Sequence, residues 1–281
     1  AMTGPGPGPG AGEAGEQACL RSGEVSAGSL EAVTSRLSKV RSRIAAAGGD
    51  PDKVKIVAVT KGHGIEAVRL ALRVGLSEIG ENYAGELVSK ATVLAATEGA
   101  AVRWHFLGAV QRNKVARLAK VVSCWQSVSR TEEAEAIARH SGLSTPPEIF
   151  VEVNFAGDAQ RTGCAPEEVA TLVKLARRSG CEVRGLMTVA PLRSGAMVPK
   201  RSPGERARSS AEDERRLLAQ DTFSHLAEIG RRLEVRELSM GMSEDLEQAV
   251  AAGTTMLRLG TALFGPRPVR SPHTQSPGLQ Q

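Results

Sequence analysis

The chain has 281 residues, 41% of them hydrophobic, enough to bury the core of one large domain. Only 3% are aromatic, so that core must be mainly Val, Leu, Ile and Ala. A formal charge of +5 is too mild to indicate nucleic acid. The four cysteines (Cys19, Cys124, Cys164, Cys181) form no C-x-x-C pair, which argues against a disulfide framework or a zinc site and for a reducing compartment.

The chain opens on a Gly/Pro repeat at residues 4–12, and residues 1–27 are expected to be a disordered tail. That stretch lacks a basic segment followed by an apolar one, so no signal peptide is expected. No apolar run approaches bilayer-spanning length, and the expectation is a cytoplasmic protein without a membrane partner. A helix follows over Leu30 to Ala47, with Leu30, Val33, Leu37 and Ile44 on one face. Strand-like runs then recur: "VKIVAVTK", "LSEIGEN", "VRWHFLG", "VVSCWQSV", "EIFVEVN", "VRGLMTV", "VRELSMG" and "TMLRLG". The gaps "GIEAVRLALRVG", "RTEEAEAIARHSG" and "APEEVATLVKLARRSG" read as helices, the last with Pro166 at its start and Gly180 past its end. Short apolar strands alternating with helices predict a parallel sheet covered on both faces, and eight of them predict a single closed (β/α)8 TIM barrel over 28–265. An open doubly wound sheet is the alternative, weakened because no G-x-G-x-x-G follows the first strand.

The gap from Pro191 to Gly230 is long. Its first half, about 192–209, is rich in Ser, Arg, Pro and Gly and predicts a mobile basic loop carrying Lys200, Arg201, Arg206 and Arg208. Such a loop can be simply solvated, or can touch an anion or RNA. A helix begins near Ser210, and residues 266–281 predict a second disordered tail.

In a barrel, the C-terminal strand ends carry function. Lys61 ends the first strand, over an apolar floor that would lower its pKa and free a neutral amine for attack on an aldehyde. A lysine there can equally snorkel to solvent. After the seventh strand, "SMGMSEDLEQ" predicts a turn and a helix capped by Ser243, with Glu244 and Asp245 in its first turn. After the eighth, Gly260 leads into a short helix near Thr261. Each turn alone reads as ordinary capping. Together they form a phosphate cradle of backbone N–H groups and hydroxyls, and with a lysine across the barrel they suit pyridoxal 5′-phosphate. Arg258 shares an inward face with Met256 and Gly260. It can meet the pyridine nitrogen and keep it unprotonated, or bridge to a carboxylate such as Glu152. His63 and His105 are candidate bases, the first at the rim and the second on a strand, where packing is the plainer role. No spaced metal-ligand motif occurs.

The stretches "VAVTK", "GENY" (Gly80–Tyr83), "WHFLGAVQRNK" (Trp104–Lys114), "RGLMTVAP" (Arg184–Pro191) and "LSMGMSEDLEQAVAAGTTMLRLGTALFG" (Leu238–Gly265) resemble the YggS/PROSC family of pyridoxal phosphate homeostasis proteins. The resemblance runs from Val57 to Gly265 and is most specific in its last stretch. It implies an alanine-racemase-like barrel without the C-terminal β domain, with the cofactor on Lys61 as a Schiff base. It implies phosphate contacts from Ser243, Gly260 and Thr261, with Ser239 a weaker candidate, Arg258 at the pyridine nitrogen and Asn82 beside the cofactor. Two departures stand out: Gly62 and His63 follow the lysine where many relatives have a bulkier polar residue and a nearby proline, and the 192–209 loop is long. The function implied is a non-catalytic carrier that keeps vitamin B6 in balance, expected as a monomer with no nucleic-acid partner, delivering cofactor to apo-enzymes that need it. A racemase or decarboxylase is the alternative, as is an RNA- or partner-binding module using the basic loop. Racemisation needs a second acid/base across the ring, and Tyr83, the single tyrosine, follows strand two of the same barrel.

Overall fold

A computed structural model describes residues 27–97, 102–142, 145–157, 160–191 and 210–267. The expected basic loop at 192–209 lies outside them, as do the expected tails except for residues 27, 266 and 267.

All eight expected strands form: β1 (Lys55–Val59), β2 (Glu78–Glu81), β3 (Arg103–Phe106), β4 (Val122–Val128), β5 (Glu148–Glu152), β6 (Glu182–Met187), β7 (Glu237–Ser239) and β8 (Met256–Leu259). They pair in sequence order, all parallel, and β8 closes back on β1. Closure rules out the open doubly wound sheet and leaves no unpaired edge. The helices are α1 (Ala27–Ala46), α2 (Ile65–Arg73), α3 (Ala84–Thr97), α4 (Arg112–Leu118), α5 (Thr131–His140), α6 (Val169–Arg178), α7 (Ala211–Arg232), α8 (Leu246–Ala251) and α9 (Thr261–Phe264). Pro166 opens a 3₁₀ turn that feeds α6, and Gly180 follows that helix at φ 95°, a conformation glycine adopts without strain. Ser210 caps α7, its hydroxyl accepting from the Asp213 N–H at 3.1 Å.

The strand alternation sorts side chains into two cores. Val57, Cys124, Phe150, Met187 and Met256 come from five different strands and pack together, a meeting possible only inside the barrel. Their neighbours in sequence, such as Ile56, Trp125, Ile149, Leu186 and Leu257, belong to the larger layer between barrel and helices. The N-terminal mouth is rimmed by ion pairs, among them Lys55–Glu237 at 3.2 Å and Arg103–Glu148 at 2.7 Å. Cys124, Cys164 and Cys181 are buried free thiols whose pKa values burial raises. Such thiols are poor nucleophiles.

Candidate functional site

Register brings the site together. Val57 of β1 lies level with Arg258 of β8, and Val59 lies level with Gly80 of β2. Lys61 and Asn82 each lie two residues beyond the Val59–Gly80 pair, and Lys61 is four residues along the chain from the level of Arg258. Lys61 is half-buried and has no hydrogen bond or ion pair among the described residues. Burial, then the charges of Arg267 and Arg258, hold its pKa below the ordinary lysine range, against a smaller opposing pull from Glu81. The chain turns at once after it. Gly62 has φ +74°, and a Cβ there would sit 3.2 Å from Cδ of Arg267, so the departure from bulkier relatives makes room for that arginine.

Arg258 is only 5% exposed. Its Nη1 donates to Ser239 Oγ and its Nη2 to the Thr188 carbonyl, both at 2.7 Å. These bonds replace the expected alternative of a direct bridge to Glu152. Burial pushes its pKa down to about 10, with Asp245 and Glu152 pulling the other way. Glu152 is itself raised by burial; one oxygen accepts from Thr162 at 2.8 Å and the other has no partner among the described residues.

Ser239 stands apart from the expected phosphate contacts. It is fully buried, and while accepting from Arg258 it donates to Gln126 Oε1 at 2.6 Å. Gln126 Nε2 donates to His105 Nδ1 at 2.8 Å, which leaves the ring proton on Nε2, 2.5 Å from Glu78 Oε2. Every donor in this chain points the same way, from the Arg258 cation through Ser239, Gln126 and His105 to a carboxylate at the opposite mouth. Bonds in series polarise one another, so a buried cation without an adjacent carboxylate is still connected to a negative charge. His105 is thus neither a free base nor a stacking residue. Its partners lie on other strands, and periodicity within β3 carries no signal of them.

The two loops expected to hold the phosphate are built with one change of partner. α8 begins at Leu246 with Asp245 at its N-cap position, and no side chain caps it. Asp245 accepts from the Met242 N–H instead. Ser243 caps across the loops: its Oγ accepts from the Ala262 N–H of α9 at 3.1 Å. Gly260 is the N-cap of α9, and a Cβ there would come 3.2 Å from the Val59 carbonyl. Gly241 turns the β7–α8 loop at φ +96°, where a Cβ would lie 2.4 Å from Cβ of Ala249. The loops are anchored from outside by α1, an element whose role sequence reasoning missed. Arg43 pairs with Glu247 at 2.6 Å and donates to the Ser243 carbonyl at 3.0 Å. Arg36 donates to the Leu263 carbonyl at 3.4 Å.

Around the rim, the His63 ring lies 5.6 Å from Phe264, and Tyr83 is 58% exposed. Asn82 points a buried Oδ1 that has no partner among the described residues. An unpaired amine of depressed pKa, a buried unpartnered amide oxygen, a buried arginine and a serine–glycine cradle suit a phosphorylated aldehyde with a ring nitrogen. No group of His, Cys, Asp and Glu suited to a metal ion occurs among the described residues, and no helix there is long and apolar enough to cross a membrane.

The family model for the alanine racemase N-terminal domain matches residues 29–268. A pyridoxal phosphate homeostasis protein of Pseudomonas aeruginosa is 33% identical over 251 residues, covering 86% of this chain and 99% of its own. The solved structure of PipY from Synechococcus elongatus with PLP bound superposes with a TM-score of 0.65 at 30% identity, over 83% of this chain and 100% of that one. Alanine racemase of Bacillus anthracis shares the fold at a TM-score of 0.55 and 18% identity, over 86% of this chain and 57% of that chain. The chain therefore belongs to the alanine racemase N-terminal-domain family, among its pyridoxal phosphate homeostasis proteins.

Proposed function

We propose that this protein binds pyridoxal 5′-phosphate covalently at Lys61 and acts as a carrier that keeps vitamin B6 in balance. The observation that carries this is Lys61 itself, an unpaired, half-buried amine of depressed pKa just past the end of β1. When bound, the cofactor supplies an aldehyde carbon open to attack by a neutral amine. Ser243, Gly260 and Thr261 hold its phosphate, Arg258 meets the ring nitrogen and Asn82 lies at the ring's edge. Ser239 serves by orienting Arg258, since both its hydrogen-bonding roles are spent within the barrel. The names and the bound ligand of the relatives support the same ligand and role.

A non-catalytic role is supported by what surrounds the lysine. Proton transfer on both faces of a ring needs two placed groups. Tyr83 is exposed, and both ring nitrogens of His105 are engaged. Cofactor-requiring apo-enzymes are the partners this role implies, with a cytoplasmic monomer as its form and no nucleic acid involved. The test is borohydride reduction of the loaded protein followed by peptide mapping. The label is expected on Lys61, with a near-visible absorbance band that disappears on reduction. A loaded sample labelled elsewhere, or unlabelled, refutes the site.

A further inference from the structure

The strand end carrying Lys61 is held from behind by a charged cluster outside the cofactor cradle. The Thr60 hydroxyl donates to Glu81 Oε1 at 2.6 Å. The same Oε1 accepts from Lys90 Nζ at 2.5 Å, and that ammonium also donates to the Thr60 carbonyl at 2.9 Å. On the far side of Lys61, the Gly62 N–H donates to Glu86 Oε2 at 3.0 Å, and Glu86 lies 3.9 Å from Lys90 Nζ. The residues before and after Lys61 are therefore tied to one group of charges supplied by β2 and α3. Glu81 is fully buried and Lys90 is 7% exposed.

This cluster is costly for its place. Burying an ion pair forfeits hydration, and apolar side chains of similar volume often stabilise as well or better. Burial raises the pKa of Glu81 despite the Lys90 bond, and its second oxygen has no partner among the described residues. What the charges supply is aim. The Thr60 N–H makes the last sheet bond of β1, to the Gly80 carbonyl at 3.0 Å, and by Gly62 the chain has turned. Lys61 thus sits at the junction of sheet and turn, where its own backbone would otherwise be the least constrained part of the site. A long flexible amine gains effective concentration at a reacting carbon only if its root is fixed.

We propose that Glu81, Lys90 and Glu86 form a positioning clamp for Lys61, fixing the backbone on both sides of it so that its amine meets the aldehyde of the bound cofactor. This rests on Lys61 being the attachment point. In the step the clamp serves, Nζ joins the aldehyde carbon while the two amine protons leave with the aldehyde oxygen as one water, so no co-reactant is required.

The test compares two ligands on the ligand-free full chain: pyridoxal phosphate, and pyridoxine phosphate, which keeps the ring and phosphate but carries an alcohol in place of the aldehyde. The variants are Glu86→Ala and the charge-neutral pair Lys90→Met with Glu81→Gln. Each is expected to weaken the aldehyde by about tenfold or more, as lost positioning does. The alcohol should bind nearly as before, and borohydride labelling of Lys61 should slow. Equal weakening of both ligands, or of neither, overturns the clamp. If the double variant does not fold, Glu86→Ala decides alone, because Glu86 is only half-buried. Lys61→Ala separates the two levels of the argument. If it too fails to discriminate between the ligands, the attachment point is wrong and both proposals fall. If it discriminates and the clamp variants do not, only the clamp falls.

Discussion

Lys61, the proposed attachment point, sits where it does at a cost to the fold. Its pKa in the folded chain lies below the ordinary lysine value of 10.5, so the unfolded chain binds its proton more readily. Between the folded and unfolded pKa values, stability rises with pH, and below the folded pKa the whole penalty is felt. Lys61→Met keeps the apolar stem and removes the charge. The ligand-free variant is expected to melt higher than wild type at neutral pH, with the gap narrowing as pH climbs towards 10.5. Thermal melts at several pH values measure this, and a gap that ignores pH would show that burial of the ammonium is not its source. Arg258 raises the same issue differently, because its guanidinium stays charged and needs the acceptors Ser239 and Thr188 to make its burial tolerable. A site that holds one buried and one half-buried cation is one place where activity and stability pull apart.

Among the elements, α1 and the two cradle loops form one unit. Arg43 reaches the Ser243 carbonyl and Glu247, and Ser243 reaches the Ala262 N–H, so α1, the β7–α8 loop and α9 are linked in series. Ser243→Ala removes a hydroxyl from the cradle and frees the Ala262 N–H. Hydrogen bonds to charged groups contribute about 1.5–3 kcal/mol, so pyridoxal phosphate should bind at least about tenfold more weakly while pyridoxal changes little. Arg43→Met touches no ligand but unfastens the loop, and a smaller loss with the same selectivity is expected. Calorimetric titration with both ligands measures it, and equal losses would mean that the cradle lies elsewhere. The strands themselves were legible in sequence because each carries a short apolar run between turn signals, and the positions of Lys61 and Gly260 just past strand ends were legible because such runs stop there. The capping of α9 by Ser243 was not, since a serine ahead of a helical stretch looks like a local cap whichever backbone it serves. The Ser239–Gln126–His105–Glu78 chain and the Glu81–Lys90 pair were illegible for a related reason. They join strands and helices whose relative register only the closed barrel sets, and each member alone reads as an ordinary strand or helix residue.

At the scale of the whole molecule, what the barrel encloses bears on whether it turns over substrate. The described residues place one unpaired amine at the mouth and commit several of the polar groups in the barrel to fixed partners, with His63 left at the rim beside Phe264. Ser239, Gln126 and His105 are engaged in series, Glu81 is turned to the helix layer, and Tyr83 faces solvent. A racemase must remove a proton from one face of the substrate carbon and return it to the other, which one lysine does poorly alone. Arg258, placed at the ring nitrogen as proposed above, would add a second restraint, because a guanidinium there disfavours its protonation and so weakens the ring as an electron sink. The loaded wild-type protein, incubated with L-alanine and followed by a chiral readout, is therefore expected to form D-alanine far below the ~10 s⁻¹ typical of enzymes. Exchange of the α-proton in heavy water should be similarly slow. Arg258→Glu, if it folds and retains the cofactor, should exchange that proton faster, since a carboxylate favours a protonated ring nitrogen. Racemisation by the wild-type protein at an enzyme-like rate, lost in Lys61→Ala, would make this barrel an enzyme, with His63 at the rim the first candidate for the second acid/base group.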